Sequence, residues 1–103
     1  MTIKLKKFGT ILTSRPAGRE AFSAIRHELT SAKTPIMVDF SEVIAVTPSW
    51  VDEFLTPLAE YASGKVELIP TDNTSVIATL KILAEANQEP VASIARRYLR
   101  ENL

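Results

Sequence analysis

The chain contains no cysteine. Disulfide scaffolds, thiolate zinc sites, iron–sulfur clusters and thiol nucleophiles are thereby excluded. Its single histidine, His27, argues against a histidine-based metal site and against a serine–histidine triad. Neither sign of charge prevails: twelve basic residues balance twelve acidic ones. No long-range field therefore draws the molecule onto nucleic acid or an anionic membrane. No apolar run approaches the roughly 18 residues that a bilayer span requires. The segment Met1–Lys7 alternates, and it is too charged for a signal peptide. These absences lead us to expect a cytoplasmic protein with no specific nucleic acid or membrane partner, no cofactor and no metal.

What is present suits one small folded domain. The chain has 103 residues, of which 46% are hydrophobic and 23% charged, whereas disorder requires low hydrophobicity and high net charge. A domain of this size buries roughly two-thirds of the surface its unfolded chain exposes, so one core is feasible.

Ile3 and Leu5 alternate with Lys4 and Lys6, the two-residue period of a half-buried strand. Phe8-Gly9 interrupts the pattern and Thr10–Thr13 resumes it, which predicts a β-hairpin turning at Gly9. Pro16 suits the first turn of a helix. Ala21, Phe22, Ile25 and Leu29 then recur at helical spacing, predicting a helix over about 16–31. Thr34-Pro35 restarts the chain. Ile36–Phe40 is an unbroken apolar run closed by Asp39-Phe40, as expected of a central strand flanked on both sides.

Thr47-Pro48 is a second helix start, with Thr47 as N-cap. Its stripe is Val51, Phe54, Leu55, Leu58 and Ala62, with Pro57 mid-pattern and Gly64 as the stop. Lys65–Ile69 reads as a strand. Asp72 or Thr71 is the expected cap of a third helix, ended by Asn87 in the left-handed conformation. Pro90 opens an amphipathic helix with Val91, Ile94, Ala95, Tyr98 and Leu99 on one face.

The two strand–helix–strand units require parallel neighbours. The expected fold is α/β: about four strands in a mixed sheet, packed with three helices plus a C-terminal amphipathic helix. Residues 1–87 form the domain. Residues 88–103 form a helix that docks on the domain, on a sister subunit as a homodimer contact, or on another protein, with Arg96, Arg97 and Arg100 in water.

The segment DFSEVIAVTPSWVDEFL, Asp39–Leu55, concentrates the functional signals. It runs from a buried strand through a short connection to a helix N-terminus, whose unpaired N–H groups favour an anion or a phosphorylated side chain. Ser49 lies in that first turn. A phosphate there would bring close to two negative charges, and Asp52 and Glu53 would repel it. The everyday alternative is that Thr47 and Ser49 only start a helix. Asp52 and Glu53, adjacent on a helix, point about 100° apart and read as a charged face rather than an acid–base pair.

Asp39-Phe40-Ser41-Glu42-Val43 resembles the strand end of STAS domains, the fold of bacterial anti-sigma factor antagonists. In that family an Asp-Ser-Ser/Thr-Gly-Leu helix start follows, its first serine phosphorylated by a partner kinase. Here Thr47 replaces the aspartate, Pro48 stands at the phosphorylated serine, Ser49 at the second hydroxyl, and Trp50 replaces the glycine. The standard phosphoacceptor is thus missing. The chain is more similar to a divergent STAS-like family of unknown function. The matching segments are Ser14-Arg15-Pro16-Ala17-Gly18-Arg19, Val38-Asp39-Phe40, Ser49-Trp50-Val51-Asp52-Glu53-Phe54 and Asn73, spanning about residues 8 to 86.

The resemblance implies a STAS-like fold, no catalysis, and a regulatory role exercised by binding a protein, a histidine-kinase-like ATPase or another regulator. The candidate partner surface is Thr47, Ser49, Trp50, Asp52 and Glu53, with Ser49 as a phospho-switch. The supporting rim is Arg15, Gly18, Asp39 and Asn73. Gly18 would let another backbone or the Trp50 region come close, and Arg15 would pair with Asp39, Asp52 or Glu53 or else stay solvated. Trp50 is either an exposed anchor or packs against the first helix. The alternative is a sensor domain that binds a small anionic ligand or nucleotide at the same rim.

Overall fold

The computed structural model describes residues 1–29 and 35–103. Among these residues, five short strands and four α-helices follow one another: β1 (Thr2–Lys4), β2 (Ile11–Leu12), α1 (Arg15–Ile25), β3 (Ile36–Asp39), β4 (Ala45–Val46), α2 (Pro48–Tyr61), β5 (Val66–Leu68), α3 (Thr74–Ala86) and α4 (Val91–Asn102). The fold is α/β, as expected, and β3 is a central strand lying between β1 and β5. The sheet differs from expectation. A three-stranded sheet β1-β3-β5 and a two-stranded sheet β2-β4 replace the single mixed sheet, and every strand pair is parallel.

The expected hairpin does not form because the chain does not reverse at Gly9. Leu5–Phe8 instead makes a 3₁₀ turn that buries Leu5 and half-buries Phe8. Gly9 follows at φ 126°, and the chain continues in its original direction into β2. Burial still alternates through Ile3-Lys4-Leu5-Lys6, but the strand ends at Lys4 and the 3₁₀ turn takes over from Leu5. The neighbouring chain breaks at the same level, at Phe40–Ile44, where Glu42 takes φ 67°. Lys6 Nζ donates to Glu42 Oε1 at 2.8 Å across the two breaks. Thr2 stands opposite Met37 and Ile11 opposite Ala45, so the register slips by one residue between the ladders.

Alternation sets the faces of the larger sheet. Ile3, Ile36, Val38, Val66 and Leu68 are buried, while Thr2, Lys4, Met37, Asp39 and Glu67 lie on the other face, exposed or half-buried. The first helix is shorter than its hydrophobic spacing predicts: α1 ends at Ile25 and tightens into a 3₁₀ turn over Arg26–Glu28. Residues 30 and 31 of its expected span, and Thr34, lie outside the described residues. Ser14 Oγ caps α1 by accepting from Ala17 N at 3.1 Å. Asn87, at φ 58°, ends α3 in the left-handed conformation that was expected.

The α4 helix docks on its own chain, against α3, α2 and β5. Its apolar face, Val91, Ala92, Ile94, Ala95 and Tyr98, is buried there, and Leu99 is half-buried. Arg97 is not simply solvated. It donates to the Val66 carbonyl at 2.6 Å and so closes the free edge of β5.

Helix α1 crosses α2 at Gly18. A Cβ at that position would stand 2.5 Å from the Trp50 carbonyl oxygen and 3.2 Å from Glu53 Cβ. Alanine improves helix propensity by about 1 kcal/mol. A backbone oxygen cannot move aside as a side chain would, so the helices must separate, and overpacking of this kind costs about 1–3 kcal/mol. Gly18→Ala is therefore expected to lower the urea midpoint of unfolding. An unchanged or raised midpoint would show that the helix pair tolerates separation.

Candidate functional site

The ledge formed by the start of α2 is built from adjacent helix caps. Thr47, extended at φ −123°, caps α2 by accepting from Trp50 N at 3.4 Å. The same hydroxyl donates to the Thr13 carbonyl at 2.6 Å, one residue before the cap of α1. Thr47 N also donates to the Leu12 carbonyl at 3.1 Å, prolonging the β2-β4 ladder. The N-termini of α1 and α2 are thereby held side by side at the ends of two parallel strands, a common location for functional groups in such sheets.

Arg15 extends from the first turn of α1 to α2. Its Nη1 donates to Asp52 Oδ2 at 3.1 Å and to Glu53 Oε1 at 3.0 Å, and Arg19 Nε donates to Glu53 Oε2 at 3.4 Å. Of the three acids considered for Arg15, Asp52 and Glu53 are its partners and Asp39 is not. The hydrogen bond from Arg15, aided by Arg19, holds the Glu53 carboxyl below the ordinary glutamate range. The hydrogen bonds to Glu53 and Asp52 in turn raise the Arg15 pKa. A carboxylate stabilised in its ionised form is a poor general acid at neutral pH.

Trp50 is buried, only 1% exposed, and its indole stacks on Phe54 with ring centroids 5.1 Å apart. Phe8 completes the cluster at 6.2 Å from Trp50 and 5.7 Å from Phe54. The side chain thus belongs to the core, and an exposed anchor at Trp50 is excluded. Thr47, Pro48, Ser49, Asp52 and Glu53 are half-buried and form the solvent-facing part of the ledge. The hydroxyl of Ser49, the second residue of α2, takes part in no hydrogen bond among the described residues.

Asp39 and Asn73 stand elsewhere on the rim and are occupied locally. Asp39 Oδ1 accepts from Ser41 N at 2.8 Å and from Ser41 Oγ at 2.6 Å. The two bonds from Ser41 hold its carboxyl below the ordinary aspartate range. Asn73, rather than Asp72 or Thr71, caps α3: its Oδ1 accepts from Ser75 N and Val76 N at 2.8 and 3.2 Å. Its amide nitrogen donates to the Val43 and Ile44 carbonyls at 2.9 and 3.2 Å. An asparagine supplies both an acceptor and two donors, which neither aspartate nor threonine can do in this position. One side chain therefore joins the start of α3 to the segment entering β4.

Two further residues carry weight that sequence reading passed over. Ser75 Oγ donates to the Val46 carbonyl at 3.1 Å and accepts from Val46 N at 3.0 Å, pairing with β4 as a strand would. The Tyr98 hydroxyl accepts from Thr71 N at 2.9 Å and donates to the Thr71 carbonyl at 3.3 Å. In the sequence Tyr98 is simply one apolar position of α4, and nothing local marks its hydroxyl. His27, to which no role was assigned, is exposed in the turn after α1.

Comparison of the chain with known protein families, with curated proteins and with solved structures finds no match.

The acid dependence of the ledge follows from the depressed Glu53 value. A carboxyl more acidic folded than unfolded contributes its full stabilisation above about pH 4.3, the ordinary glutamate value, and loses it as pH falls through the folded value. Glu53→Gln is expected to unfold at lower urea than the unsubstituted chain at pH 7. The difference should narrow as pH falls below about 4.3. A difference that stays constant over that range would show that Glu53 titrates no differently in the folded protein.

Proposed function

We propose that the chain is a non-catalytic regulatory module of STAS-like type that binds a protein partner at the strand-to-helix rim around residues 47–54, the partner class being a histidine-kinase-like ATPase. One observation carries this reading: the ledge is a closed set of polar contacts. Thr47 is bonded to Thr13 and Trp50 N, and Arg15 and Arg19 are bonded to Asp52 and Glu53. Such a surface has a fixed shape and charge pattern, which recognition requires. It lacks the unpaired, activated base next to a nucleophile that hydrolytic chemistry requires.

The STAS-like assignment is supported by where its motifs lie. Val38-Asp39-Phe40 ends the central strand and turns through Ser41, and Ser49–Phe54 opens the helix that follows. The partner would meet Pro48, Ser49 and the Arg15–Asp52–Glu53 group, with Trp50 supporting them from the core. Ser49 has the geometry of a switch: its hydroxyl is free among the described residues, and a phosphate there would face the α2 N-terminus. Binding of a small anion at the same rim is less favoured, because the Arg15 guanidinium that would attract it already donates to two carboxylates.

The test is isothermal titration of the purified chain against a panel of histidine-kinase-like ATPases. At least one is expected to bind saturably, and Ser49→Asp should weaken it about tenfold or more, about 1.4 kcal/mol, with the far-ultraviolet dichroism unchanged. Glu85→Gln, on the exposed side of α3, should bind as the parent does. Absence of binding across the panel, or equal binding by Ser49→Asp, overturns the reading.

A further inference from the structure

A cavity of about 580 Å³ opens beyond the carboxyl ends of β3 and β5. Its volume is that of a small-molecule site, and its position is where parallel sheets commonly hold ligands. It lies between the turn after β3, the loop before α3 and the last turns of α4, and is distinct from the ledge at residues 47–54. Phe40, Val43, Pro70 and Tyr98 give it apolar walls.

The polar groups around it decide what it can hold. Several are already used: the Tyr98 hydroxyl by the Thr71 backbone, the Ser41 hydroxyl by Asp39, and both ends of the Asn73 amide by α3 and the Val43 and Ile44 carbonyls. Besides the Thr71 hydroxyl, which accepts from Asn73 N and keeps its proton free, three acceptor groups keep free capacity among the described residues. The Asp72 carboxylate has no hydrogen bond or ion pair, Asn102 uses only its amide nitrogen, on the Tyr98 carbonyl, and Glu42 engages Lys6 through Oε1 alone. All three offer acceptors, two carry negative charge, and no lysine or arginine lines the cavity.

We propose that this cavity binds a small organic cation carrying an ammonium or guanidinium group. Such a ligand supplies the donors and the charge that the lining lacks, and its carbon skeleton lies against the apolar walls. An anion would meet two carboxylates. A neutral polyol would satisfy the acceptors and leave the Asp72 charge unpaired, that of Glu42 being shared with Lys6. A bare metal ion is not favoured, since among the described residues no three acidic or histidine groups converge to hold one. Because Tyr98 and Asn102 belong to α4 and the opposite wall to the turn after β3, an occupant joins the C-terminal helix to the sheet and stabilises the fold by mass action.

The test is titration with 1,4-diaminobutane at constant ionic strength, followed by amide chemical shifts, with butane-1,4-diol as the neutral counterpart. Saturable shifts confined to residues 40–43, 70–73 and 98–102 are expected with the diamine, and none with the diol. Asp72 supports nothing in the fold, so Asp72→Asn should fold normally and bind about tenfold or more weakly, and Glu42→Gln should weaken binding in the same direction. Glu85→Gln, remote from the cavity, should bind as the parent does. Unsaturating shifts spread over the surface, equal shifts with the diol, or unchanged binding by Asp72→Asn would each overturn the proposal. None of these results depends on whether a protein partner binds the ledge.

Discussion

The missing side chain at Gly18 is the constraint on which the ledge depends. Helices α1 and α2 lie too close at that point for any Cβ, the obstacle being the Trp50 backbone itself. Close approach at the crossing brings the first turns of the two helices together. Only then can Thr47 reach the Thr13 carbonyl, and only then does Arg15 span to Asp52 and Glu53. The same approach seats Trp50 against Phe54 and Phe8, where burial of large aromatic surface holds the helix pair from inside. Apolar packing below and charge-assisted hydrogen bonds above thus act on one geometry. The first supplies most of the stability; the second, being partly exposed, mainly sets the charge pattern that faces solvent.

A second constraint organises the other half of the rim. Two neighbouring parallel chains both break, at Leu5–Thr10 and at Phe40–Ile44, and resume one residue out of their earlier register. A break in a parallel sheet leaves carbonyl and amide groups without ladder partners, and they must be satisfied elsewhere. Asn73 and Ser75, at the start of α3, satisfy several of them by bonding to Val43, Ile44 and Val46. Helix α3 is in this way fastened to the interrupted strand. The space left between that interruption and the end of α4 becomes the cavity bordered by Glu42, Asp72 and Asn102.

How far the sequence could be read depends on the range of the interactions involved. The four helices were legible because their signals are local: Pro16 in a first turn, Thr47 as a cap, the stripes of α1 and α2, Asn87 as a left-handed stop. The central place of β3 was legible from its unbroken apolar run. The closeness of Gly18 to Trp50, and the pairing of Arg15 with acids on α2, were legible as alternatives within a short menu of partners. The hairpin was misread because alternation reports only which face is buried. It does not report whether a chain turns back or continues, and the parallel pairing of β1 with β3 and of β2 with β4 settled that in favour of continuing. Trp50 was left open between anchor and core because its neighbour Phe8 lies more than forty positions away in the chain.

By itself the sequence determined the periodicities, the caps and breakers, the even balance of charge, and the absence of thiol and multi-histidine chemistry. All of these depend on residue identity and on spacings of a few positions. The tertiary structure alone decided that all strand pairs are parallel, that Asp39 turns back on Ser41 while Arg15 goes to α2, that Asn73 serves two segments at once, and that α4 spends its apolar face on its own domain. The physical reason is the same in each case. A polar group or an apolar face has several partners that would satisfy it, and the choice among them is made by packing of segments distant along the chain.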